Sequence, residues 1–277
     1  MFETVLLPIS LRNPISDVLS LVRFLRNCGT RSVTLVHVAS SGLESAGHAR
    51  RRVEEVGASV EEEGFETEVV LRHGSPALEI CRVAQERDLS FIGIPWRKKD
   101  FLKRTLLGSV SEDIVRLADV PVFIYKQEGH PETPARMKSI VYATTFNPWH
   151  DHIIPYLRSQ GVTAETLYVL HVGRQAPDPE AETKRRQFVF DKLNRVKQAC
   201  ADCFDDVKIV SKVGNPRWQI SGAAKEAGAE LIVLGKREEG PPWAKVMGSN
   251  AEATVHRSEC SLLIVPAYDI EHKQDRE

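Results

Sequence analysis

The sequence predicts an α/β fold in two copies, each a parallel sheet with helices on its faces. Short runs rich in Val, Ile and Leu alternate with longer amphipathic stretches, the pattern of strand–helix–strand units. The short runs are apolar throughout, as strands buried on both faces must be. The pattern also occurs twice. Gly108-Ser109 is matched by Gly248-Ser249, and His73-Gly74-Ser75-Pro76 by Val213-Gly214-Asn215-Pro216, both at an offset of 140 residues. A repeat of that length means two globular domains, not a solenoid. The boundaries read as residues 1–126 and 139–268, with a polar linker 127–138 containing Gly and Pro, and a polar tail 269–277.

In the first copy, Thr4–Ile9 is the first strand. Asn13-Pro14 reads as a helix start, Asn as N-cap and Pro at the first helical position. The helix carries Val18, Leu21, Val22 and Leu25 and stops near Gly29. Ser32–Val38 is the second strand. Ala46–Glu63 is charged with a sparse stripe of Val53, Val56 and Val60, hence a surface helix. Thr67–Leu71 is the third strand, and Ser75-Pro76 opens a helix through Ala77, Ile80 and Ala84. Phe91–Ile94 is the fourth strand. After a basic loop, Gly108-Ser109 opens the last helix, with Glu112 and Asp113 in the turn where acids suit the positive helix end. Val120–Tyr125 is the fifth strand.

The second copy repeats this order. Its strands are Ile140–Ala143, Thr166–Val172, Val207–Val210, Leu231–Leu234 and Leu262–Val265. Asn147-Pro148 repeats the cap pair, Pro179–Phe204 is a long helix and Pro216–Ala227 another. Right-handed crossovers join such strands into a parallel sheet. Ligands then sit beyond the carboxyl ends of the strands, where the strand order reverses. That places the candidate loops after the first and fourth strands of each copy. Val120–Tyr125 and Leu262–Val265 read as sheet edges, which pairing would protect.

Thirty-seven basic residues face 38 acidic ones, a net charge of −1, which gives no electrostatic case for a nucleic-acid partner. No apolar run approaches the ~20 residues of a membrane span, and the N-terminus enters a strand with no signal-like segment before it. Five scattered cysteines argue against a disulfide framework and for a reducing compartment, so the expected location is the cytoplasm.

A strand, a loop and a Gly-Ser helix start can hold phosphate, because backbone N–H groups at a helix N-terminus point at the anion. A glycine after a strand is also ordinary turn chemistry. The first loop adds Arg97, Lys98, Lys99, Lys103 and Arg104, read as a solvated charge run. Cys200-Ala-Asp-Cys203 has metal-like spacing but no second ligand pair, so it reads as two free thiols. His150 and His152 are two apart and would not share a helix face. His37 and His171 recur at equivalent strand ends and read as packed histidines. Trp96 and Trp243 lie after the fourth strands, where they would stack on a ligand or plug the crevice; plugging is the reading for Trp96. No nucleophile elbow, paired-carboxylate motif or catalytic triad stands out, so no catalytic residue and no metal ligand is assigned.

Both halves resemble the universal stress protein family. The features that carry the resemblance are LLPIS and VYATT as first strands, LVHV and VLHV as second strands, GSP and GNP before the third helix, and LLGSVSEDIVRLADVPVFI and VMGSNAEATVHRSECSLLIV. The resemblance implies a flavodoxin- or Rossmann-like five-stranded parallel sheet in each half, the two packed as a pseudo-dimer, and homodimers through edge strands. It places nucleotide contacts at Ser10, Val38, Gly93, Gly108, Ser109 and Val110, and at Thr145, Val172, Gly235, Gly248, Ser249 and Asn250. ATP, ADP or AMP are the cofactors it allows; none is required.

ATP-binding members carry G-x2-G-x9-G-[ST] after the fourth strand and an Asp ending the first. Here Trp96 and Glu238 stand at the middle glycine, and Ser10 and Thr145 at the Asp. Counted from Gly93, the first loop is two residues too long. The sequence therefore reads as a non-enzymatic stress-response or regulatory protein with degenerate nucleotide loops and an unidentified protein partner. The alternative is an ATP- or AMP-binding switch with slow hydrolysis.

Overall fold

The first strand, β1 (Thr4–Pro8), sits at the centre of its sheet because Val5, Leu6 and Leu7 are at most 1% exposed and tolerate cover on both sides. In a computed structural model of the chain, residues 2–11, 14–39, 46–96, 108–126, 136–146, 152–159, 161–237 and 248–267 are described. Those up to Lys126 form one compact unit and those from Arg136 a second.

The first unit runs β1, α1 (Ile15–Asn27), β2 (Ser32–Ala39), α2 (Ala46–Glu62), β3 (Glu66–His73), α3 (Pro76–Glu86), β4 (Phe91–Trp96), α4 (Ser109–Leu117) and β5 (Val122–Lys126). All pairings are parallel and the order is β3-β2-β1-β4-β5. The chain winds outward from β1 through β2 to β3, then returns to the other side of β1 for β4. That reversal places the crevice between the carboxyl ends of β1 and β4.

The second unit runs β6 (Met137–Thr144), α5 (Ile154–Leu157), β7 (Ala164–Gly173), α6 (Pro179–Cys200), β8 (Asp206–Val213), α7 (Pro216–Glu226), β9 (Leu231–Arg237), α8 (Ser249–Arg257) and β10 (Ser261–Ala267). Its order, β8-β7-β6-β9-β10, is again wholly parallel. The reversal falls between β6 and β9.

The three valines of α2 face inward: Val53 and Val60 are fully buried and Val56 nearly so. The GSP and GNP repeats are a backbone device. Gly74 has φ +133° and Gly214 has φ +136°, a region that side chains rarely enter, and each precedes a helix opened by proline. Asn215 adds a cap by accepting from the Arg217 N–H at 3.1 Å.

Two local expectations shift. Pro14, in extended geometry, is the N-cap of α1 and Ile15 its first helical residue. Asn13 and the pair Asn147-Pro148 lie outside the described residues. β6 starts at Met137, so the second copy's first strand reaches into the segment read as linker. Met137 is buried, and that burial, invisible in a polar sequence context, is what extends the strand.

Candidate functional site

At the reversal in the first unit lies a cleft of ≈ 340 Å³. Ile9, Val36, Val38, Ile80 and Ile114 give it apolar walls; Ser10 and Ser111 line it with hydroxyls. His37, 7% exposed, also lines it. Its Nδ1 donates to the Ile9 carbonyl at 2.9 Å, tying the end of β2 to the end of β1. Of the residues expected here, Ser10, Val38 and Val110 line the cleft.

The start of α4 faces the cleft through Val110 and Ser111. Gly108 is the N-cap and supplies no side-chain bond. The Glu112 N–H, bonded to Gly108 O at 3.0 Å, begins the helical ladder, so the N–H groups before it have no partner inside the helix. α8 repeats this, with Glu252 N–H on Gly248 O at 3.1 Å. A Cβ at Gly108 or Gly248 would meet nothing within 4 Å. Among the described residues, these glycines leave the helix end uncovered by any side chain of their own.

Gly93 is corrected. It lies inside β4, buried, paired with Phe123. A Cβ there would stand 2.6 Å from Leu7 Cδ2 and 3.3 Å from Val5 Cγ2. Its small size serves the packing of β4 against Leu7 and Val5 of β1. The register shows why the loop lengths disagreed. Phe91 pairs with Val5 in the first unit as Leu231 pairs with Ile140 in the second. Gly93 therefore corresponds to Val233, and Gly235 to Pro95. Counted from Pro95, the distance to Gly108 is thirteen, the same as from Gly235 to Gly248. The middle-glycine slot of the first copy is then Lys98, outside the described residues, not Trp96. Trp96 ends β4, and the Lys126 ammonium lies 4.5 Å from its ring centroid, so the plug assigned to it is withdrawn. Trp243 and Glu238 lie outside the described residues.

In the second unit the corresponding strand ends carry a different group. His171 Nδ1 donates to the Thr144 carbonyl at 3.0 Å, the counterpart of His37. Phe146 stacks on the His171 ring at 4.3 Å, and Phe188 of α6 meets Phe146 edge-on at 6.3 Å. Phe146 has φ +61°, unusual for a bulky residue, and the stack holds it there. Thr145 is exposed and Val172 half-buried beside this stack. Nothing in the local pattern announced Phe146; its role depends on β7 and α6.

Burial lowers the His171 pKa, the Thr144 bond opposes this, and the charge of Arg185 lowers it further. The folded state thus binds fewer protons than the unfolded one just below 6.5, and this group's contribution to stability falls as pH drops through that value. Titration of the His171 ring by NMR is expected to show a midpoint below 6.5. A midpoint above it would mean that Phe146 does not cover the ring.

Arg185 belongs to a cluster at the start of α6. Glu182, 7% exposed, accepts from the Ala176 N–H at 2.9 Å, from Arg185 Nε and Nη2 at 2.8 Å each, and from Arg186 Nε at 2.8 Å. Arg185 above all, then the Ala176 N–H and Arg186, hold the Glu182 carboxyl far below the usual carboxylate range. The E-x-x-R-R spacing is legible as an i, i+3, i+4 pattern, but from sequence Pro179–Phe204 reads only as a long helix.

Cys200 ends α6, buried, and burial pushes its thiol up to about 11. Among the described residues, no group of three or more His, Cys, Asp or Glu could hold a metal ion. No helix among them is long and apolar enough to cross a membrane.

The model of the universal stress protein family matches residues 1–126 and 150–266. A universal stress protein of Methanocaldococcus jannaschii is 29% identical over 81 residues, 29% of this chain and 50% of that protein. The universal stress protein YxiE of Bacillus subtilis is 37% identical over 65 residues, 24% of this chain and 44% of that one. The chain thus spans about half the length of the curated relatives it matches. The crystal structure of a universal stress protein from Archaeoglobus fulgidus shares the fold, with a TM-score of 0.72, 23% identity, and 96% of this chain and 99% of that chain covered. Two family matches over two units with the same strand order leave one conclusion: the chain belongs to the universal stress protein family.

Proposed function

We propose that this is a non-enzymatic, cytoplasmic regulatory protein whose first unit takes an adenine nucleotide, AMP in preference to ATP. The carrying observation is the ≈ 340 Å³ apolar cleft at the strand reversal, lined at one side by the first turn of α4. That volume is at the low end of small-molecule sites and suits a nucleoside body. One bare helix N-terminus supports one phosphate. Pro95 stands where the second copy has Gly235, and proline lacks the N–H and the freedom with which glycine lets backbone approach further phosphates.

Pro95 also favours a second reading, a lapsed site acting only through a protein partner. Native mass spectrometry and calorimetric titration with AMP, ADP and ATP separate the two. Saturable AMP binding, one per chain, is expected. Val110→Asp places a carboxylate in the first turn of α4, where it suits the helix but repels phosphate, and is expected to weaken AMP roughly tenfold or more. No adduct at millimolar nucleotide would leave the lapsed-site reading standing.

A further inference from the structure

A second cavity, distinct from the strand-reversal cleft, lies between α6 and β8 and measures ≈ 770 Å³. Val189 and Ile209 contribute apolar side chains to it, with Phe190 and Val213, which are 53% and 46% exposed. Apolar surface left to water in a groove is a common mark of a binding site.

Two arginines line the same groove. Arg185 gives Nε and Nη2 to Glu182, which locks its guanidinium plane; its Nη1 is buried with no hydrogen-bond partner. A buried donor without an acceptor is costly, and a ligand oxygen that reached it would satisfy it. Nη1 lies 3.6 Å from where a Cβ on Gly173 would be, over the end of β7, the strand next to β8. Arg186 gives only Nε to Glu182 and is 72% exposed, leaving its two terminal nitrogens for a ligand. No acidic residue is among those that line the groove. Glu182 offsets one of the two positive charges, so the lining keeps a net charge of one.

We propose that the α6–β8 groove of the second unit binds an amphipathic organic anion, a free medium-chain carboxylate whose apolar chain lies along Phe190, Ile209 and Val213 and whose carboxylate meets Arg185 and Arg186. The planar guanidinium fork matches a carboxylate better than a point charge would, and apolar walls favour a chain over a small inorganic anion.

The test is calorimetric titration of the full chain with decanoate, decylamine and decanol, below their aggregation limits. Decanoate is expected to saturate at one per chain, and decylamine to give no saturable heat. Arg186→Gln and Phe190→Ser are each expected to weaken decanoate roughly tenfold. Both residues are more than half exposed, so neither change empties a core; circular dichroism checks the fold. Val110→Asp, which strikes the first unit's cleft, is expected to leave decanoate binding unchanged, so this site and the nucleotide site fail separately. Equal saturation by decylamine, no saturation by decanoate, or decanoate binding unaltered in both groove variants would overturn the proposal.

Discussion

Phe91→Ala is expected to destabilise the first unit by about 3–5 kcal/mol, the usual cost of removing a fully buried aromatic side chain. Phe91 is 0% exposed at the start of β4, paired with Val5 of the central strand. Its ring meets that of Phe2 edge-on at 5.2 Å. Truncation would leave a cavity against β1, the strand that both halves of the winding depend on, and would strand Phe2 as well. Aromatic pairs of this geometry add about 0.5–1.5 kcal/mol beyond buried area. The midpoint of the first unit's thermal transition should fall by roughly 10 °C or more, given about 2–8 °C per kcal/mol over this size range. Calorimetry with two-transition fitting reads it directly. A loss under about 1 kcal/mol would show that the site collapses freely and that β4 is less tightly held than the burial implies.

Gly93→Ala is expected to cost about 1–3 kcal/mol, because it adds a methyl group where none fits. The new Cβ would lie 2.6 Å from Leu7 Cδ2 and 3.3 Å from Val5 Cγ2, so the β1 side chains would have to yield, while Leu21 Cδ2 of α1 at 3.4 Å would be in ordinary contact. This experiment also decides what the glycine is for. A loop glycine holding a ligand would, on replacement, lose affinity while the melting temperature stayed put. The packed position gives the reverse: a lower melting temperature and AMP affinity unchanged in the folded fraction. Weakened AMP binding at unchanged stability would return Gly93 to the ligand loop.

The misplacement of Gly93 shows how far residue type alone can be trusted. Glycine at the end of an apolar run fits two descriptions, a strand residue pressed by neighbours and a turn residue beside a ligand. Only the pairing of Phe91 with Val5, set against that of Leu231 with Ile140, tells which description applies. Pairing is a long-range property, and a one- or two-residue shift in it moves a side chain from loop to core. The Arg185–Glu182 knot was half visible, since i, i+3 and i, i+4 spacing brings such side chains together on any helix. That one guanidinium nitrogen ends up buried without a partner depends on what packs over α6, and no spacing rule carries that. Phe146 on His171 was not visible at all, because it joins residues 25 positions apart across two strands.

Local chemistry was enough to settle the duplication, the strand–helix alternation, the parallel winding in each copy and the strand ends that flank the reversal. Each of these follows from short-range rules: apolar runs buried on both faces, proline and glycine at helix ends, and crossovers of one hand. The tertiary structure alone decided which glycine is packed and which is a helix cap, that the first copy keeps an open cleft, and that two arginines meet an apolar groove beside β8. Those depend on register and on the distances between side chains far apart in the chain, which hydrophobic packing sets and sequence order does not.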